Sequence, residues 1–231
     1  MSIAENIAAI RSKMDEAARS CGRDPKEILL CAATKMNDAD AVRQAIAGGV
    51  DCCGENRVQE LVAKQKENAY EGAPVHFIGH LQSNKAAKAV EYASWIHSVD
   101  SLKLLTKLDR LAGEMGKKPV ILLEVNSGEA SKSGVEYSDL SALAEAAAKA
   151  ENLQFRGLMT MAPLTDDRSE WLKAFQKLAD ARDKLEKSLN ITLPELSMGM
   201  SGDFHEAVHC GSTVIRIGTR LFGNRQYKVE L

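Results

Sequence analysis

Four groups of residues in this 231-residue chain have types and spacings suited to chemistry. Lys35 closes Ile28-Leu29-Leu30-Cys31-Ala32-Ala33-Thr34-Lys35, an uncharged run bounded by Asp24-Pro25 and Asn37-Asp38. Such a run reads as a buried strand. An ammonium at its tip either reaches water or is used, because burying it unpaired is costly. Lysine forms Schiff bases with carbonyl compounds, and partial desolvation makes it nucleophilic. Next come two glycine–hydroxyl loops, Gly199-Met200-Ser201-Gly202 and Ile217-Gly218-Thr219. Glycines let backbone approach an anion, and Ser201 and Thr219 add hydroxyl donors; the plainer reading is a pair of tight turns. Arg216, always charged, can hold a ring nitrogen or a second anionic group, or pair with Glu124 as a structural ion pair. Last, His205-Glu206-Ala207-Val208-His209 matches the H-E-x-x-H pattern of zinc proteases. Gly202 places that pattern on the first turns of a short helix behind a glycine loop, and no third ligand stands out downstream. Coincidence is the better reading there, and no metal is expected.

The elements that must position these groups alternate regularly. Strands are expected over 28–35, 50–53, 75–79, 95–99, 120–125, 155–161, 193–198 and 214–217, with helices between them. A capping box of Ser2 and Glu5 opens an extra N-terminal helix whose apolar stripe is Ile3, Ile7, Ile10, Met14 and Ala17. No linker rich in Pro, Gly or Ser divides the chain, so residues 1–231 are expected to form a single domain. Strand–helix alternation means a parallel sheet with crossover helices. Eight strands is the count that closes a (β/α)8 TIM-type barrel, whereas open doubly wound sheets stop at fewer. In a barrel, function sits at the carboxyl ends of the strands. Those ends carry Lys35, Asn56, His80, Asn126, Met161, Ser201 and Arg216 with Gly218-Thr219. Closure makes the eighth strand a neighbour of the first, so Lys35, Asn56 and Arg216 are expected side by side. The two glycine loops follow strands seven and eight, where barrels commonly hold a phosphate. A phosphate beside a strand-end lysine suggests a phosphorylated carbonyl compound held as an imine.

Composition narrows the classes. A net charge of −2 carries no nucleic-acid footprint. No apolar stretch approaches the roughly 18 residues of a membrane span. The first residues lack the basic region and apolar core of a signal peptide. Five cysteines without framework spacing read as free thiols in a reducing compartment, so a cytoplasmic location is expected. Cys52 and Cys53 are adjacent on a strand and face opposite sides, which suits core packing rather than chelation. His76 and His97 read as core histidines, Lys132 as a solvated loop charge, and Met159, Met161 and Met198 as barrel filling.

The motifs also carry a resemblance. Ala33-Thr34-Lys35, Gly54-Glu55-Asn56-Arg57-Val58-Gln59-Glu60, His76-Phe77-Ile78-Gly79-His80-Leu81-Gln82-Ser83-Asn84-Lys85, Ser131-Lys132-Ser133-Gly134, Arg156-Gly157-Leu158-Met159-Thr160-Met161, Gly199-Met200-Ser201 and Arg216-Ile217-Gly218-Thr219 together resemble the pyridoxal phosphate homeostasis protein family. That family is a lone barrel similar to the N-terminal domain of alanine racemase, and the likeness runs from the first strand to Gly223-Asn224-Arg225. It implies that Lys35 carries pyridoxal 5'-phosphate as a Schiff base and that Arg216 contacts the pyridine nitrogen. It further implies that Ser201, Gly218 and Thr219 hold the phosphate and Asn56 lines the ring. His80 stands where the family often has proline, so no required role is implied for it. An arginine on the ring nitrogen weakens the cofactor as an electron sink. Racemase-like barrels work with a tyrosine from an added β-domain, for which this chain has no room. The resemblance therefore implies a cofactor carrier or buffer without robust turnover, handing its cargo to apo-enzymes. A racemase-like enzyme, or an aldolase using Lys35 on a sugar phosphate, are the alternatives. The apolar helix faces are used by the barrel, so a monomer is expected.

Overall fold

The computed structural model describes residues 2–128 and 133–223. Ser131, Lys132, Asn224 and Arg225, which belong to the motifs above, lie outside the described residues.

The first helix, α1 (Ile3–Ser20), opens with the expected capping box: Ser2 Oγ accepts from Glu5 N–H at 3.2 Å, and Glu5 Oε2 accepts from Ser2 N–H at 2.7 Å. It buries Ile7, Ile10, Met14, Ala17 and Ala18 outside the barrel wall, against Leu30, Ala32, Ile215, Ile217, Phe204, Val208 and Leu221. Thus α1 seals the seam where the first and last strands meet.

From there the chain alternates. β1 (Leu29–Ala33) leads to α2 (Ala39–Ala47), β2 (Cys52–Glu55) to α3 (Val58–Lys66), and β3 (Val75–Phe77) to α4 (Ala86–Tyr92). β4 (Trp95–Val99) precedes α5 (Leu102–Glu114), β5 (Val120–Glu124) precedes α6 (Leu140–Ala148), and β6 (Gln154–Met159) precedes α7 (Arg168–Leu189). β7 (Glu195–Ser197), α8 (Phe204–His209), β8 (Val214–Ile217) and α9 (Thr219–Phe222) complete it. All strand pairs are parallel, and the sheet closes in the order β1-β2-β3-β4-β5-β6-β7-β8. Closure is made by Leu29, Leu30, Cys31 and Ala32 in register with Val214, Ile215, Arg216 and Ile217. The expected eight-stranded α/β barrel with an added N-terminal helix is what the chain forms.

Several ends differ from the apolar pattern. β1 stops at Ala33: the N–H of Thr34 makes the last ladder bond, to Gly54 O, and the chain then turns through Met36 at φ 61°, in the left-handed region. Lys35 therefore sits in the turn after the strand. β2 is shifted two residues later than expected, since Gly54 and Glu55 continue the ladder; Glu55 is buried because its charge is paired. β3 and β7 are shorter than their apolar runs. β6 ends at Met159, short of Met161, ahead of Pro163, which has no N–H to donate.

Side chains alternate between the two faces. Cys31, Ala33, Cys52, Ile78 and Val214 fill one part of the interior, while Val120, Leu122 and Met159, with Trp95 against them, fill another. Between them the interior holds His76, His97, Ser197, Glu124 and Arg216, all buried. A barrel interior with this many polar groups is built for more than packing.

Candidate functional site

Lys35 is half-buried, and the backbone on both sides of it is held by charge. Glu55 Oε1, fully buried, accepts from Thr34 Oγ1 at 2.5 Å, Lys64 Nζ at 2.7 Å and Tyr70 Oη at 2.9 Å. Lys64 Nζ also donates to Thr34 O at 2.7 Å. On the other side, Glu60 Oε2 accepts from Met36 N–H at 2.6 Å, which supports the left-handed turn. A buried ion pair is weak evidence for stability but good evidence that a geometry is specified. Here the specified geometry is that of the backbone from Thr34 to Met36, which aims Lys35. Sequence reasoning missed Glu55, Glu60, Lys64 and Tyr70 as a unit. The available signal was the i,i+4 pair Glu60–Lys64 on α3, which follows Glu55 directly.

Asn56 follows β2 as Lys35 follows β1, and the register Ala33↔Gly54 puts the two level on neighbouring strands. Its Oδ1 is buried and has no hydrogen-bond partner among the described residues. Gly79 lies against it so closely that a Cβ there would stand 2.3 Å from Asn56 O. The backbone after β3 thus fixes the backbone after β2.

Arg216 is fully in the interior, level with Cys31 and so deeper than Lys35. Its guanidinium donates from Nη1 to Ser197 Oγ at 2.6 Å and from Nη2 to Thr160 O at 3.0 Å. Burial lowers its pKa, while Cys31, Asp203 and Glu124 oppose that; a guanidinium so placed stays charged. Behind Ser197 runs a chain: His97 Nδ1 lies 2.8 Å from Ser197 Oγ, and His97 Nε2 lies 3.0 Å from His76 Nδ1. The His76 ring stacks on Trp95 with centroids 4.7 Å apart. Burial pulls His76 down to about 3, and burial with the neighbouring His76 and Arg216 holds His97 well below its ordinary range, so both rings are neutral. They are core histidines, as expected, but also part of one string ending on Arg216.

The ion pair between Arg216 and Glu124 does not form among the described residues; the arginine is taken by Ser197 and Thr160. Glu124 is buried with Oε2 unpartnered, and burial and then Asp100 raise its pKa to about 7, against the pull of Arg216, His80 and a hydrogen bond from Ser133. His80 is on the surface, its Nδ1 3.4 Å from Asp100 Oδ2. Met161 lies half-buried past the end of β6, and Asn126 Oδ1 accepts from Gly128 N–H at 2.8 Å.

The two glycine loops come together. Arg216 N–H donates to Gly199 O at 3.0 Å, joining the loop after β7 to β8. Gly199 has φ 96°, and a Cβ there would sit 2.7 Å from the Cβ of Ala207. Asp203 folds the loop back by accepting from Met200 N–H at 2.5 Å. Ser201 and Gly218 are half-buried and Thr219 exposed, so their donors line the rim. The structure therefore brings Lys35 and Asn56 to one side of the mouth, the loops of Ser201, Gly218 and Thr219 to the adjoining side, and Arg216 beneath.

His205 and His209 stand one turn apart on α8, ring centroids 4.8 Å apart. Glu206 between them is buried in an ion pair with Arg168, and His209 Nε2 lies 3.0 Å from Ser20 Oγ. Among the described residues no third ligand completes that pair.

The closed eight-stranded barrel is of the class of alanine racemase's N-terminal domain, whose family model matches residues 2–226. The chain belongs to the pyridoxal phosphate homeostasis protein family. The protein of that name from Pseudomonas aeruginosa is 45% identical over 227 residues, covering 97% of this chain and 96% of that one. The structure of PipY from Synechococcus elongatus with PLP bound is similar at a TM-score of 0.86 and 41% identity, over 96% of this chain and 100% of that one. An alanine racemase from Clostridium difficile reaches a TM-score of 0.71 at 15% identity, over 94% of this chain and 57% of that one, which shows the shared fold alone.

Proposed function

We propose that this chain binds pyridoxal 5'-phosphate through Lys35 and serves as a carrier that keeps the cofactor bound and available, with little turnover of its own. The observation that carries this reading is the clamp on Thr34 and Met36, which fixes the backbone on either side of Lys35 at the barrel mouth. The donor set fits the group: an amine for the aldehyde, a buried unpartnered Asn56 Oδ1 for the ring face, and Ser201, Gly218 and Thr219 around a rim for the phosphate. The bound relative at 41% identity points the same way. When bound, pyridoxal 5'-phosphate supplies an aldehyde that condenses with an amine and absorbs visible light.

Arg216 would meet the ring nitrogen. Held by Ser197 and Thr160, it keeps its charge, and a fixed cation there opposes protonation of that nitrogen and weakens electron withdrawal. Weak withdrawal favours holding over turnover. No helix of the described residues is long and apolar enough to cross a membrane, and the free cysteines suit the cytoplasm. Five large apolar side chains are exposed among the described residues, spread over the turn after β1, both ends of α5, the loop before α7 and α7 itself. A monomer that delivers to apo-enzymes fits that surface.

The test is uptake. Added pyridoxal 5'-phosphate should bind stoichiometrically to the wild type and not to Lys35→Ala, and amino acids incubated with the loaded protein in deuterated water should keep their α-protons. No uptake by the wild type would end the carrier reading; rapid α-proton exchange lost in Lys35→Ala would replace it with an enzyme.

A further inference from the structure

We propose that Cys31, Cys52 and His76 form an internal binding site for a thiophilic d10 metal ion, beneath the barrel mouth and separate from the lysine. Adjacent Cys52 and Cys53 cannot chelate together, because they face opposite sides of the sheet. Strand pairing supplies a different partner: Cys31 on β1 is in register with Cys52 on β2, and both point into the barrel. One ligand atom from each thiol and a ring nitrogen of His76 all lie within 4.8 Å of one another, and all three residues are buried. Among the described residues no other three histidine, cysteine or carboxylate groups cluster this way. Zinc takes sulfur at about 2.3 Å and imidazole nitrogen at about 2.0–2.1 Å, which sets donors roughly 3.5–4 Å apart. The triangle needs only a small contraction to close on an ion.

Two further observations bear on a ligand. The outer partners of the histidine are built. With His76 Nδ1–H donating to His97 Nε2, and His97 Nδ1–H donating to Ser197 Oγ, the His76 Nε2 presents a lone pair. Ser197 Oγ has two lone pairs, so it accepts from His97 and from Arg216 together. Stacking on Trp95 at an interplanar angle of 7° fixes the ring plane. Second, the lack of a side chain at Gly54 lets Cys31 Sγ pack close against the β2 backbone that carries Cys52: a Cβ on Gly54 would stand 2.7 Å from Cys31 Sγ and 2.7 Å from Ile78 Cδ1. Coordination forms two metal–sulfur bonds and one metal–nitrogen bond, and releases the two thiol protons to solvent. Two thiolates with Zn²⁺ sum to no net charge, and with Cu⁺ to a single negative charge that the neighbouring Arg216 guanidinium offsets, so the charge balance suits either d10 ion.

The test uses the full chain, reduced and stripped with a chelator. Zn²⁺ is titrated in competition with a chromophoric chelator, Cu⁺ is titrated anaerobically in parallel, and Co²⁺ is added as a spectroscopic probe. One equivalent of Zn²⁺ should bind with a dissociation constant below ~1 μM, and Co²⁺ should give a thiolate-to-metal charge-transfer band. Cys31→Ser and Cys52→Ser should each abolish the band. Gly54→Ala, which keeps every donor but displaces Cys31 Sγ, should abolish it too, and His97→Gln should weaken binding by about 10–100-fold. Cys210→Ser, His205→Ala and Lys35→Ala should leave it unchanged; retention in Lys35→Ala separates this site from the cofactor reading. No thiolate band in the wild type, or a band that survives both cysteine substitutions, would overturn the site itself, whether or not the variants fold well.

Discussion

Glu124 is the residue whose protonation the fold moves into the physiological range. Its pKa rises from 4.5 to about 7 because burial and Asp100 penalise the carboxylate. The native protein holds this proton more tightly than the unfolded chain. The resulting stability is fully present below about pH 4.5 and is lost as pH rises through about 7, a swing on the order of 3 kcal/mol. Denaturant midpoints of wild type and Glu124→Gln, measured from pH 4.5 to 8, should diverge accordingly, the wild type losing stability relative to the glutamine variant as pH rises, on top of the loss on acidification that the buried His76 and His97 impose on both; parallel curves would refute the assignment. Arg216 makes a second case. A lysine cannot reach Ser197 Oγ and Thr160 O in the same fork, so Arg216→Lys should leave a buried acceptor unpaired and cost about 1–3 kcal/mol in chemical denaturation. An unchanged midpoint would show the fork to be idle. At this scale the positions of Lys35, Asn56, Ser201, Gly218 and Thr219 after strand ends, and of Arg216 on the last strand, were legible, because the alternation of elements reveals those strands; their roles remain proposals. The string His76–His97–Ser197–Arg216 was not. It joins β3, β4, β7 and β8, and only closure of the barrel makes those residues neighbours.

At the scale of elements, α3 does more than cover β2 and β3. It delivers Glu60 and Lys64 to the turn that carries Lys35. Lys64→Met would leave Glu55 buried without its cation, at a cost of about 3–5 kcal/mol, and should lower the melting temperature by roughly 10 °C. Adding Glu55→Leu should recover part of that loss. A melting temperature within a degree or two of wild type for Lys64→Met would show that the network carries no charge coupling. The loop after β3 offers a gentler probe. Gly79→Ala must push Asn56 backbone away from the mouth, so pyridoxal 5'-phosphate should bind more weakly while the far-ultraviolet circular dichroism stays native. Element identities were readable because helix caps, apolar runs and glycine turns are local. The ends of β1 and β2 were not, because Glu55 enters a strand only when Lys64, Tyr70 and Thr34 are present to pair it.

For the whole molecule, the closed sheet has a simple consequence. β1 and β8 pair edge to edge and α1 seals their seam, so the barrel leaves no sheet edge open for another strand. Sedimentation should report a single species near 25 kDa, with or without cofactor; a dimer would contradict the monomer reading and point to the exposed leucines of α5 and α7. The barrel also explains why one amine can be singled out among the chain's lysines. Among the described residues, Lys35 is the lysine that follows β1 with its turn clamped from α3, level with Asn56 and above Arg216. Borohydride reduction of the loaded protein, followed by peptide mapping, tests this most directly. The account predicts a visible absorbance band that borohydride bleaches, with the pyridoxyl label on the peptide containing Lys35 and no label in Lys35→Ala. A band that survives in Lys35→Ala with the label on another lysine, or a protein that stays colourless with excess cofactor, would contradict it.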